Sequence, residues 1–86
     1  MNRCLALVGK TVMVTGGTGS FGKTVARTLL ENDQVKEVII YSRDEKKQDD
    51  MRHAFMSFPK LKFIIGDVRD RDSIFHAMDG VDVVFH

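Results

Sequence analysis

The sequence has little cysteine: Cys4 is alone among 86 residues. No internal disulfide can form, and one thiol fits a reducing cytoplasm, the expected location. Cys4 reads as a small apolar residue near a terminus rather than as a reactive thiol. An excess of either charge is also lacking. Thirteen Lys and Arg against twelve Asp and Glu leave a formal net charge of +1. No strong field therefore points to nucleic acid or to an anionic membrane. Long apolar runs are missing as well. Leu5-Ala6-Leu7-Val8 is too short for a signal-peptide core and far too short to span a bilayer. No repeat, low-complexity tract or linker is visible. What remains is an ordinary soluble composition, 43% apolar and 29% charged, sufficient for one small domain. A domain of this size buries little more than ~60% of its unfolded surface, so its core is small.

The apolar residues come in short runs separated by helical periodicity. Thr11-Val12-Met13-Val14-Thr15 is a β-branched run ahead of glycines and reads as a buried strand. Phe21, Val25, Leu29 and Leu30 recur at helical spacing, which predicts a helix over about 20–33. Val38 to Tyr41 reads as a second strand. Asp44 can cap a second helix with Met51, Phe55 and Phe58 on one side, closed by Pro59. Phe63 to Ile65 reads as a third strand. Asp72 or Ser73 can cap a third helix carrying Ile74, Phe75 and Met78, and Val83 to Phe85 reads as a fourth strand. Continuous apolar strands alternating with helices predict an α/β domain with a parallel sheet covered on both faces. Right-handed crossovers place the strands in the order 3-2-1-4, the N-terminal half of a Rossmann fold.

Between the first strand and the first helix lies Thr15-Gly16-Gly17-Thr18-Gly19-Ser20-Phe21-Gly22-Lys23-Thr24. It satisfies three phosphate-binding patterns. Gly17, Gly22, Lys23 and Thr24 fit the Walker A loop, G-x-x-x-x-G-K-S/T. Gly17, Gly19 and Gly22 fit G-x-G-x-x-G. Gly16, Gly19 and Gly22 fit T-G-x-x-G-x-x-G. All three offer backbone N–H groups and a helix N-terminus to phosphate, so the loop alone does not decide. A Walker A enzyme also needs an acid at the end of another strand to hold magnesium. His86 stands after the fourth strand, and Asp67 after the third is the remaining candidate. A dinucleotide site instead needs a ribose reader at the end of the second strand. Ser42 and Arg43 stand there, ahead of Asp44. A hydroxyl and a guanidinium fork suit a ribose 2′-phosphate, hence NADP, and Lys46 and Lys47 can add charge. As a plain solvated helix start, Arg43 and the lysines would have no such role. Asp67 can accept from the adenine amino group while Val68 packs on the ring; the plainer alternative is a turn aspartate. Because two further sites fit it, the dinucleotide reading is preferred.

Val12 to Lys23 resembles the extended short-chain dehydrogenase/reductases that act on nucleotide sugars. Tyr41 to Gln48, Met51-Arg52, Phe63 to Asp70 and Gly80 to His86 narrow the resemblance to inverting UDP-N-acetylglucosamine 4,6-dehydratases. It implies that Gly16, Gly19 and Gly22 cradle the pyrophosphate, with Thr18, Ser20 and Phe21 lining the turn. It places Ser42, Arg43 and Lys47 on the adenosine phosphate, and Asp67 and Val68 beside adenine. It further implies a nucleotide-sugar substrate, a homo-oligomer and a role in surface polysaccharide or nonulosonic acid biosynthesis. The implied reaction oxidises the sugar at C4, eliminates water across C5 and C6, and returns the hydride to C6. NADP stays bound, so the net reaction is that of a lyase. The catalytic Tyr-x-x-x-Lys of such enzymes is not found here: Tyr41 is the only tyrosine, and Glu45 stands four places on. His53 and His76 read as helix-surface residues and His86 as a strand end.

The final run, Val81 to His86, stops without a turn or cap. The expectation is therefore a truncated Rossmann domain over residues 1–86 that binds cofactor but performs no chemistry alone. A stand-alone nucleotide-binding module, and another epimerase or reductase of the same superfamily, remain as alternatives.

Overall fold

The computed structural model describes residues 8–16, 19–31 and 34–85. Four strands and three helices alternate: β1 Thr11–Thr15, α1 Ser20–Leu30, β2 Glu37–Ser42, α2 Glu45–Ala54, β3 Leu61–Ile65, α3 Arg71–Ala77 and β4 Val83–Phe85. The strands form one parallel sheet in the order β3-β2-β1-β4. This is the expected half-Rossmann arrangement. The register runs Val12 against Val38 and Val83, and Val38 against Leu61. Asp82 fixes the start of β4: Thr11 N donates to its Oδ2 at 2.9 Å, and its own N donates to Thr11 O at 2.9 Å.

Side chains alternate across the sheet as strand geometry requires. Val12, Val14, Val38 and Ile40 face α1 and α2, where they meet Ala26, Leu29, Leu30, Met51 and Phe55. Met13, Ile39 and Tyr41 face the other way, toward Ile74 and Ala77 of α3. Because both faces are covered, the central positions Val12 to Val14 and Val38 to Tyr41 are all buried. The continuous apolar runs follow from that.

Helix α1 ends at Leu30 rather than near position 33, and three further details differ from the sequence reading. The stripe that α1 buries is Gly22, Ala26, Leu29 and Leu30, spaced i, i+4, i+7 and i+8. Phe21 lies one position off that stripe and is 77% exposed. Helix α2 stops at Ala54, and Phe55 leaves the helical conformation as its C-cap. Pro59 disfavours helix at Phe58, and a turn with Phe58 N donating to Phe55 O at 3.0 Å closes the segment. Both rings still reach the core, their centroids 6.2 Å apart. Helix α3 is capped by Asp70, whose carboxylate accepts from Ser73 N at 3.2 Å, rather than by Asp72 or Ser73. Asp44 caps α2 as expected, accepting from Lys47 N at 3.0 Å.

Candidate nucleotide site

Helix α1 leaves β1 toward one face of the sheet, while α3 carries the chain to β4 across the other. The carboxyl ends of β1 and β4 therefore form a switch point, where open α/β sheets bind ligands. A cleft of about 200 Å³ lies beside it, lined by Thr15, Gly16, Tyr41, Ser42, Arg43, Gly66, Asp67 and Val68.

The floor of the cleft is made by continuing the ladders past the strands. Gly16 N donates to Tyr41 O, and Gly66 N to Ser42 O, each at 2.9 Å. Gly16 turns the chain with φ +66°, a conformation that side chains other than glycine disfavour. Among the described residues, no atom lies within 4 Å of where a Cβ would sit on Gly16 or Gly19. Among the described residues, nothing crowds that backbone against an approaching phosphate. Gly19 is the N-cap of α1 and brings no side chain to cover its first-turn N–H groups, and that turn holds no acid. The positive end of the helix dipole is thus uncompensated by its own sequence.

At Gly66 the requirement is space. An added Cβ would overlap the hydroxyl and ring of Tyr41, coming within 2.7 Å of Cε2. Tyr41 is fully buried. Its hydroxyl donates to Asp67 O at 3.2 Å and lies 2.8 Å from Ser73 Oγ. It ties β2 to the turn after β3 and to α3, a structural rather than a catalytic use.

Asp67 is held by two guanidiniums. Arg69 grips it through Nε to Oδ1 at 3.1 Å and Nη2 to Oδ2 at 2.9 Å, with Arg69 N on Oδ1 at 2.9 Å. Arg43 Nη1 lies 3.6 Å from Oδ2. The Arg69 hydrogen bonds, side chain first and then backbone, lower the Asp67 carboxyl to about 2. The same pairing raises Arg69. Two arginines against one carboxylate leave the cleft edge positive. Arg43 is 66% exposed, so much of its guanidinium remains open to an incoming anion.

The cleft thus brings together five of the predicted residues: Gly16, Ser42, Arg43, Asp67 and Val68. It does not include Ser20, Phe21 or Gly22, which belong to the first turn of α1, nor Lys47, which lies in the first turn of α2. Thr18 and Gly17 lie outside the described residues, as do Cys4 and His86. His53 and His76 are exposed, each ring nitrogen against the carbonyl four residues back, at 2.9 and 3.0 Å. Sequence reasoning gave no role to Gly66, Arg69 or Gln48. For Arg69 the signal was an acid and a base two residues apart in a tight turn after a strand.

Two features of the Walker A alternative find other employment. Thr24 Oγ1 donates back to Ser20 O at 3.1 Å, and Asp67 is committed to arginines. No group of three or more His, Cys, Asp or Glu placed to hold a metal ion occurs among the described residues. No described helix is long and apolar enough to cross a membrane.

A parallel 3-2-1-4 sheet with a glycine turn after β1 defines the first half of a Rossmann fold. The chain belongs to the family described as "Polysaccharide biosynthesis protein", which residues 12–86 match. A relative named UDP-glucose 4-epimerase, from Rickettsia canadensis (strain McKiel), is 60% identical over 82 residues, covering 92% of this chain and 24% of its own length. The chain thus spans about a quarter of the length of the curated relatives it matches. The X-ray structure of Pen from Bacillus thuringiensis is 34% identical with a TM-score of 0.87, over 93% of this chain and 24% of that one. The Pseudomonas aeruginosa RhlG/NADP active-site complex shares the fold, at 23% identity and a TM-score of 0.73, over 98% of this chain and 35% of that one.

Proposed function

We propose that the chain is the NADP-binding portion of a nucleotide-sugar 4,6-dehydratase that acts on UDP-N-acetylglucosamine with inversion at C5. The carrying observation is the exposed Arg43 guanidinium at the end of β2, beside Ser42 and over the open cleft. The motif resemblance from Val12 to His86 supports the sugar class, as does family membership. A bound nicotinamide dinucleotide would supply the hydride acceptor and donor.

The chain's own residues hold and orient that cofactor. Gly16 and Gly19 let backbone approach the pyrophosphate, and Gly22 lets α1 pack close on the sheet. Ser20 and Phe21 begin α1 beside the glycine turn. Ser42, Arg43 and Lys47 receive the 2′-phosphate, where a guanidinium fork offers two parallel donors. Asp67 and Val68 meet adenine, and Asp67 stays ionised because Arg69 stabilises its charged form. No residue here serves as the proton-transfer tyrosine, so this stretch binds cofactor and leaves the chemistry to other parts of such an enzyme.

A second reading, a UDP-sugar 4-epimerase, is favoured by the names of the Rickettsia relatives. Both reactions begin by oxidising C4. They part at the product. UDP-N-acetylglucosamine incubated with the polypeptide isolated from its source cells should give a 4-keto-6-deoxy sugar lighter by one water. A C4 epimer of unchanged mass would favour the second reading. Cofactor choice is tested separately: Arg43→Ala should remove most of any preference for NADPH over NADH.

A further inference from the structure

Gln48 lies on α2, six residues beyond Ser42, and is 1% exposed. Its Nε2 lies 2.9 Å from Ile64 O, 3.0 Å from Ser42 Oγ and 3.3 Å from Ser42 O. The two carbonyl oxygens can only accept. Turning the amide over would set Oε1 against both of them, so its orientation is fixed. Ser42 O already accepts from Gly66 N at 2.9 Å. The two hydrogens of Nε2 are therefore best placed on Ile64 O and Ser42 Oγ. It follows that the Ser42 hydroxyl accepts from Gln48 and cannot point its own proton there. Ser42 lines the cleft next to Arg43, and among the described residues its Oγ donates to no other group.

The geometry points to Gln48 as a positioning residue that turns the Ser42 hydroxyl proton into the cleft, toward the ribose 2′-phosphate. This rests on the NADP reading above and deepens it. Without Gln48, no amide donor would hold the hydroxyl as an acceptor, and its proton would be free to turn away from the cleft. With it, Ser42 becomes a fixed neutral donor beside the Arg43 charge. A purely packing role explains less. Among the described residues, Gln48 Oε1 is buried without a hydrogen-bond partner, a destabilising feature that an apolar side chain of similar length would avoid.

The test measures the dissociation constants of NADP+ and NAD+ for the whole chain, its Gln48→Met, Ser42→Ala and Arg43→Ala variants, and the Gln48→Met/Ser42→Ala double variant. Gln48→Met should weaken NADP+ about threefold to tenfold and leave NAD+ almost unchanged, the size expected for one misdirected hydrogen bond. The double variant should be no worse than Ser42→Ala. If Gln48→Met weakens both cofactors equally, or neither, while Arg43→Ala lowers the preference, the positioning role is overturned and the NADP reading stands. If the unaltered chain shows no preference, or Arg43→Ala does not lower it, the NADP reading itself falls. Should Gln48→Met not fold, the unaltered protein still answers by NMR. The Gln48 side-chain amide resonances should move on adding NADP+ and not on adding NAD+; equal movement, or none, overturns the role.

Discussion

Val12, Val14, Val38 and Ile40 point toward α1 and α2, while Met13, Ile39 and Tyr41, one residue along, point toward α3. Among the described residues, ten buried ones join in one apolar cluster on the first face. On the second, among the same residues, Met13, Ile39 and Tyr41 are the buried ones, with α3 giving Ile74 and Ala77 as half-buried neighbours. Stability is concentrated on the first face, because burying each aliphatic side chain there contributes about 1.5–3 kcal/mol. The second face contributes less burial but more wiring. Its largest member, Tyr41, spends its hydroxyl on Asp67 and Ser73 and so shapes the cleft. One strand, β2, serves both purposes by alternating: Tyr41 anchors the cleft from one side and Ser42, held by Gln48, from the other.

The sharpest contrast is between Ile40 and Ile39, identical side chains on opposite faces. Ile40→Ala should cost about 3–5 kcal/mol and Ile39→Ala about 2–3 kcal/mol, the spread seen for buried large-to-small changes. Urea unfolding of both variants checks it. Equal losses would mean that α3 seals its face as tightly as α1 and α2 seal theirs.

Next comes Gly66→Ala, whose methyl overlaps Tyr41. It should cost about 1–3 kcal/mol as an overpacked site. Tyr41→Phe should cost about 1–2 kcal/mol by stranding its partners. The double variant should be less damaging than the sum, since a ring without the hydroxyl's bonds to Asp67 O and Ser73 Oγ can shift away from the new methyl. Strict additivity would show that the two do not compete for the same space.

The smallest effect concerns Asp67. Its carboxyl titrates near 2 in the fold against an ordinary 3.8. The folded state therefore favours the ionised form. That contribution is present above about pH 4 and is lost as pH falls through 3.8 toward 2. Asp67→Asn should flatten this part of the acid stability profile. Because the pair is exposed, the change is expected to be slight. A profile unaltered by the substitution would mean that Arg69 does not hold the carboxylate in solution.

Most of the fold was legible in the sequence because burial on both faces writes itself as apolar runs, and helical turns between them leave a period. Strand order followed from right-handed crossovers read as half of a Rossmann sheet. What was not legible depended on neighbours in space. Phe21 has the right type for the α1 stripe but the wrong angle, which only the docked helix reveals. Asp70, Asp72 and Ser73 could each cap α3, and sequence spacing does not choose among them. In the cleft, Arg43, Asp67 and Val68 were readable because they closely follow the ends of β2 and β3. Arg69 and Gln48 were not, since their roles come from bonds to Asp67 and Ser42 rather than from any motif. Gly66 was visible as a strand end, but its need for space arises from Tyr41 twenty-five residues earlier.

The reading of the cleft as a dinucleotide site stands or falls on one titration of the chain with NADPH, NADH and magnesium-ATP. NADPH is expected to bind more tightly than NADH, and magnesium-ATP not to compete. Tight magnesium-dependent ATP binding that Lys23→Ala abolishes would contradict it, and would return the glycine loop to the Walker A class.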